Sequence, residues 1–187
     1  TKSGCSITLL DIQSRGKRYS ECTQWSNSVL DEISSMNPDL VVLGRSSGAR
    51  IYESESRTSS DENAVNMLSE VFSRIRGSGA EVVVIRDTPR MPFDPLLCFE
   101  DSSKCSVERA EAMKRYDPLI DAANRNGAVS LIDMTDGLCR DDFCYVVEGN
   151  VIVWRDHHHL TETYSRTLAP LLGQKLARAT GWELGEN

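Results

Sequence analysis

No apolar run in these 187 residues approaches the roughly eighteen that a membrane span requires, so no stretch is built to cross a bilayer. A basic excess is also lacking. The formal net charge is -7, with acidic residues scattered throughout, and this argues against nucleic acid as a partner, because neutralising phosphates takes a basic face. No Cys-x-x-Cys spacing occurs, which removes the commonest signature of a structural zinc site. The sequence opens at Thr1 without a methionine, a basic n-region or an apolar h-region. The expectation is that residue 1 is not a natural start, and that any export signal or membrane anchor lies outside these residues. There is no internal repeat and no low-complexity tract.

Hydrophobic residues make up 40% of the chain and charged residues 26%, enough to bury a core within one domain, and residues 1–187 are expected to form a single domain. The 6 cysteines fall as three local pairs, Cys5 with Cys22, Cys98 with Cys105 and Cys139 with Cys144. Six cysteines allow about 15 connectivities; nearest-neighbour pairing is expected because loops close most easily between residues close in sequence. Disulfides imply an oxidising compartment.

Apolar residues recur at helical spacing at Trp25, Val29, Leu30 and Ile33, which predicts a helix over 23–36 stopped by Asn37 and Pro38. The runs at 39–44, 81–86 and 128–133 are short and continuously apolar, like strands buried on both faces of a parallel sheet. A serine-rich loop to Ser60 leads to a helix capped by Asp61 and running through Ile75, and a further helix is expected over 107–126. Between them, Asp87 to Lys104 carries Pro89, Pro92 and Pro95 and reads as a long braced loop. Strand-like runs at 145–147 and 151–154 precede a last helix over 161–178. The alternation predicts an α/β fold, with a mostly parallel sheet, helices on both faces and functional residues beyond the carboxyl ends of the strands. By that rule Asp87 is a candidate substrate contact, while Asp133 reads as a strand-end cap and Trp25 and Trp154 as core.

All 3 histidines lie in one run, Arg155-Asp-His-His-His-Leu-Thr161. A carboxylate three residues ahead of a histidine, in a turn that opens a helix, can reach the ring's Nδ1 and leave Nε2 for a nucleophile. Asp156 and His159 meet that spacing. The bland alternative is a solvated helix N-terminus with Asp156 as its cap. Zinc is a weaker alternative, because adjacent histidines are expected to point apart and no second cluster adds ligands; no metal and no cofactor are expected. Gly44-Arg-Ser-Ser-Gly48 formally matches the G-x-S-x-G elbow of α/β-hydrolases, which would make Ser46 a nucleophile, but the elbow needs a helix directly behind it and 49–60 has no apolar helical face.

Thr1-Lys-Ser-Gly-Cys5, Cys22-Thr-Gln-Trp25, Pro38-Asp-Leu-Val-Val-Leu-Gly44, Asp87-Thr-Pro89 and Arg155-Asp-His-His-His-Leu-Thr161 occur in an order and spacing that resembles the SGNH domains fused to membrane acyltransferases. The resemblance covers nearly the whole chain. It implies a flavodoxin-like, three-layer α/β/α sandwich of the SGNH-hydrolase kind, with Asp156 as catalytic acid and His159 as base of a C-terminal D-x-x-H motif. It also implies a place on the extracytoplasmic face of a bacterial membrane, periplasmic or extracellular. An N-terminal integral-membrane acyltransferase domain would be the partner, with an acyl donor or acylated carbohydrate as substrate.

Two departures qualify this. The family's serine nucleophile belongs to a Gly-Asp-Ser block upstream of the Lys-Ser-Gly-Cys stretch, and these residues start at that stretch. The strand before that block would be central to the sheet, so an uncovered edge or groove is expected. The asparagine that would steady the oxyanion falls at Gly44-Arg-Ser-Ser, where backbone N–H groups near Gly44, or the side chains of Arg45 and Ser46, would have to replace it. The expected function is that of a serine esterase or O-acyltransferase acting on acyl groups of cell-surface glycans. The alternatives are a catalytically inactive module that binds glycan or braces a membrane domain, and an independent Ser46 hydrolase.

Overall fold

The computed structural model describes residues 2, 4–52 and 59–183. Thr1 and Ser3 of the first family block, and residues 53–58 of the serine-rich loop, lie outside the described residues. In chain order the elements are β1 (Ile12–Ser14), β2 (Lys17–Tyr19), α1 (Glu21–Met36), β3 (Leu40–Gly44), α2 (Ser59–Gly77) and β4 (Glu81–Ile85). They continue with β5 (Ser106–Glu108), α3 (Arg109–Ala112), α4 (Pro118–Arg125), β6 (Val129–Ile132), β7 (Phe143–Tyr145), β8 (Val147–Glu148), β9 (Val151–Ile152), α5 (Glu162–Thr167) and α6 (Ala169–Thr180). They form two compact units interleaved in sequence, the first from Thr1–Asp87 and Tyr116–Ile132, the second from Thr88–Arg115 and Asp133–Asn187.

The first unit is built on a parallel sheet in the order β3-β4-β6, made by the three apolar runs read from sequence. Alternation along each strand sends Val41, Leu43, Val82, Val84, Val129 and Leu131 into one core with Leu30 of α1, Leu68 and Phe72 of α2, and Leu119 of α4. Central β4 is buried on its other face as well, with Val83 at 1% exposure. β3 is different: it bonds to β4 on one side only, no strand among the described residues pairs with its other side, and Val42 is 42% exposed. Ahead of the sheet, β1 and β2 form a hairpin through Arg15 and Gly16, both at positive φ as a two-residue turn of this kind requires. The Cys5–Cys22 disulfide joins the N-terminal segment to α1.

The second unit has a separate core, in which Met91, Val107, Leu138, Val146, Val153 and Trp154 are all buried. Trp154 is fully enclosed and its indole N–H donates to the Tyr145 carbonyl at 3.0 Å. The pairs β5–β7 and β8–β9 are antiparallel, the latter closed by Gly149 and Asn150, both at positive φ. Two further disulfides, Cys98–Cys105 and Cys139–Cys144, brace this unit, so all three nearest-neighbour pairings form.

Several boundaries differ from expectation for identifiable reasons. The helix expected over 107–126 is instead β5, a single turn and the shorter α4. Pro118 lacks the N–H that a continuing helix needs and sits in the first turn of α4, and residues 106–108 are drawn into pairing with 143–145 beside Cys105. α2 begins at Ser59, so Asp61 lies in its first turn rather than at its cap. The runs near 145–147 and 151–154 contribute a local hairpin and do not extend the parallel sheet. The last helix is broken into α5 and α6 at Leu168, just ahead of Pro170. Trp25 is only half-buried.

Candidate active site

Asp156 and His159 lie in a tight non-helical turn, residues 155–159, that follows Trp154. The turn is closed from within: Asp156 Oδ1 accepts the backbone N–H of His158 at 3.0 Å and of His159 at 2.9 Å, and Arg155 N–H donates to the His159 carbonyl at 2.8 Å. Two of the orphan donors of the turn thus converge on one carboxylate. Its second oxygen, Oδ2, stands 2.8 Å from His159 Nδ1. The expected contact of acid with Nδ1 is therefore made. The helix that follows starts later and has its own cap, Thr161, whose Oγ1 accepts from Tyr164 N–H at 3.2 Å. Asp156 caps its own turn and not a helix.

The turn is also held from outside by the segment just after β4. Met91 N–H donates to the His157 carbonyl at 2.8 Å, and Thr88 Oγ1 donates to the His158 carbonyl at 2.7 Å. The His157 ring reaches back, with Nδ1 3.1 Å from the Met91 carbonyl, so of the three histidines this one is an anchor. Sequence reading singled out the Asp87-Thr-Pro89 segment as a possible substrate contact. It missed that Thr88 and Met91 hold the backbone of the D-x-x-H turn, a relation between residues some 70 positions apart that no local pattern announces.

Electrostatics favour an ionised Asp156. Burial on its own would raise the carboxyl pKa, but the N–H groups of His158 and His159, and the His159 ring, hold it well below the usual carboxylate range. His159 is exposed, with 53% of its side-chain surface in contact with solvent. A permanently charged acceptor on Nδ1 keeps the proton of a neutral imidazole on that nitrogen, and Nε2 is then the basic atom.

In the first unit, beyond the carboxyl end of β3, Gly44 is exposed and Arg45 is 4% exposed. The Arg45 guanidinium donates to the Ala49 carbonyl at 2.7 Å and the Ser46 carbonyl at 3.4 Å. Burial lowers its pKa, while the carboxylates of Asp117 and Asp87 raise it. Asp87 Oδ2 accepts from both the N–H and the hydroxyl of Ser47, at 2.8 and 2.7 Å. Ser46 Oγ accepts the Gly48 N–H at 3.2 Å, and the Ser46 carbonyl accepts the Ala49 N–H at 3.0 Å.

The N–H groups of Ser47, Gly48 and Ala49 are thus engaged inside the loop. Arg45, a candidate substrate contact on sequence, spends its guanidinium on shaping this loop. Residues 45–52 are not helical, so the helix that a nucleophile elbow places directly behind its serine does not follow Ser46. Asp133 caps the next turn through Thr135 N–H at 2.8 Å, as a strand-end aspartate does.

A search of solved structures finds similarity to the periplasmic domain of the lipopolysaccharide acetyltransferase from Salmonella ser. Paratyphi A, at a TM-score of 0.64 and 18% identity. The match covers 86% of this chain and 66% of that one, so the chain spans about two thirds of the structure it resembles. The shared fold agrees with the α/β architecture described above. No curated protein sequence matches. The family model for the SGNH domain (fused to AT3 domains) matches residues 1–174, and with nearly all of its length so matched, the chain belongs to that family.

Proposed function

We propose that this is an extracytoplasmic serine esterase or O-acyltransferase domain acting on acyl groups of cell-surface glycans. The single observation that carries the reading is the Asp156–His159 pair, with Oδ2 2.8 Å from Nδ1 in a turn braced on both sides. Three disulfides support an oxidising compartment. A Salmonella neighbour that is a lipopolysaccharide acetyltransferase domain supports glycan-linked acyl groups as substrate. The nucleophile in this reading is a serine of a Gly-Asp-Ser block outside the 187 residues, and the side of β3 that no strand among the described residues pairs with offers a place for the strand that precedes it.

In the first step His159 Nε2 takes the serine proton as Oγ attacks the acyl carbonyl carbon, and backbone N–H donors steady the oxyanion. The tetrahedral adduct collapses and breaks the bond to the donor oxygen, which leaves with the proton held on His159. In the second step His159 takes a proton from water or a sugar hydroxyl, whose oxygen attacks the acyl-serine. The serine then departs with the proton returned. Asp156 stays ionised throughout and stabilises the imidazolium formed in each step.

The test is hydrolysis of p-nitrophenyl acetate by a protein that includes the Gly-Asp-Ser block, beside its His159→Ala variant. Turnover lost with His159 supports the reading. Equal turnover in the variant refutes it, and no turnover in either protein favours the second reading, an inactive module that binds glycan or braces an attached acyltransferase domain.

A further inference from the structure

We propose that Asp156, His158 and His159 together form a binding site for a divalent ion of the zinc class, and that occupancy of this site would silence the dyad. One ligand atom from each of the three residues lies within 4.8 Å of the other two. His158 Nδ1 is 3.5 Å and His159 Nδ1 is 3.0 Å from the same oxygen, Asp156 Oδ1. Donor atoms around a tetrahedral zinc ion, with bonds of about 2.0–2.1 Å, are themselves about 3.3–3.5 Å apart. The two carboxylate-to-ring distances are thus already near the spacing the ion requires, and the two ring nitrogens lie within 4.8 Å of each other.

Adjacent histidines commonly diverge, and here they do not. The rings of His158 and His159 lie with centroids 4.0 Å apart and a tilt of 39°, so both imidazoles are gathered over the same carboxylate. The backbone fixes this: two N–H groups hold Asp156 Oδ1, and Thr88 Oγ1 holds the His158 carbonyl. His157 is not part of the cluster, and its Nδ1 is directed instead to the Met91 carbonyl. Imidazole nitrogens with one carboxylate suit zinc and disfavour magnesium or calcium, which seek oxygen-rich shells. The three side chains are partly open to solvent, at 39%, 36% and 53%, and His158 Nδ1 itself lies on the buried side of its ring, so an ion would approach from the exposed Asp156 and His159 side and water would complete its coordination. The Arg155 guanidinium stands 3.7 Å from Oδ2 and is itself 66% exposed.

An ion on His159 Nδ1 would take the place of the proton that Asp156 holds there, so zinc and catalysis exclude each other. That consequence rests on the function proposed above; the binding itself does not, and it is measured without any turnover. Zinc chloride titrated calorimetrically into the disulfide-intact chain is expected to show one saturable site with micromolar affinity, weakened at least tenfold in His158→Ala, while magnesium chloride gives no saturable heat. Should His158→Ala fold poorly, ring-nitrogen NMR of the wild-type chain decides: zinc must shift the His158 and His159 resonances. Absence of saturable zinc binding, affinity unchanged in His158→Ala, or bound zinc that leaves both rings unshifted would overturn the site.

Discussion

Asp156 does two things at once, and they can be separated by substitution. Its Oδ1 closes the turn and its Oδ2 addresses His159. Asp156→Asn keeps an acceptor for the backbone N–H groups but removes the charge that stabilises imidazolium. In the full-length protein it is expected to lower kcat by about 10³–10⁴ with KM little changed. Thr88→Val removes the donor to the His158 carbonyl; steady-state kinetics should show a smaller fall in kcat, together with about 1 kcal/mol less stability in denaturant titration.

The depressed pKa of Asp156 also makes a statement about pH. A carboxyl that is more acidic folded than unfolded contributes stability that is fully present above its unfolded value of about 3.9 and is lost as pH falls through the folded value. Thermal melts should therefore show Asp156→Asn narrowing its deficit against wild type as pH drops below about 4, with the deficit constant from about pH 5 to 7.

Among the elements, prolines and disulfides decide where sequence periodicity is obeyed. The three runs at β3, β4 and β6 were readable because parallel strands buried on both faces have a continuous apolar signature and little else competes for such residues. Residues 107–126 have helical spacing too, but Pro118 and the pairing of Val107 opposite Cys144 cut the pattern in two. The same reasoning covers Pro170 in α6. Of the site, the spacing of Asp156 and His159 was legible, whereas the role of Arg45 was not: a charged residue at a strand end reads as a surface or substrate group, and only burial reveals that its donors serve Ser46 and Ala49.

Asp117 stands at the N-terminus of α4, immediately before Pro118. It caps α4 through Leu119 N–H at 3.0 Å, and burial raises its pKa against the pull of the Leu119 and Asp87 N–H groups. Asp117→Ala should cost about 1 kcal/mol through the lost cap, and Asp117→Asn, which keeps an acceptor, should cost less. Chemical denaturation of both variants checks the order.

For the whole molecule, disulfides act on the unfolded chain. The Cys5–Cys22 bridge spans a separation of 17 and Cys139–Cys144 one of 5. Loop-closure entropy assigns about 3 kcal/mol to the longer and about 2 kcal/mol to the shorter. Paired Cys→Ser variants should rank in that order by denaturant midpoint. All three bridges fit a domain that folds outside the reducing cytosol, as does membership in a family found fused to AT3 domains.

If Asp156 and His159 activate a serine outside this stretch of chain, as proposed, covalent labelling locates that serine. The full-length protein would be treated with a fluorophosphonate, and the labelled serine located by peptide mass spectrometry in wild type and His159→Ala. One modified serine is expected, in the Gly-Asp-Ser block, with labelling slowed about a thousandfold by the substitution. A label on Ser46, or labelling that proceeds equally fast without His159, would contradict it.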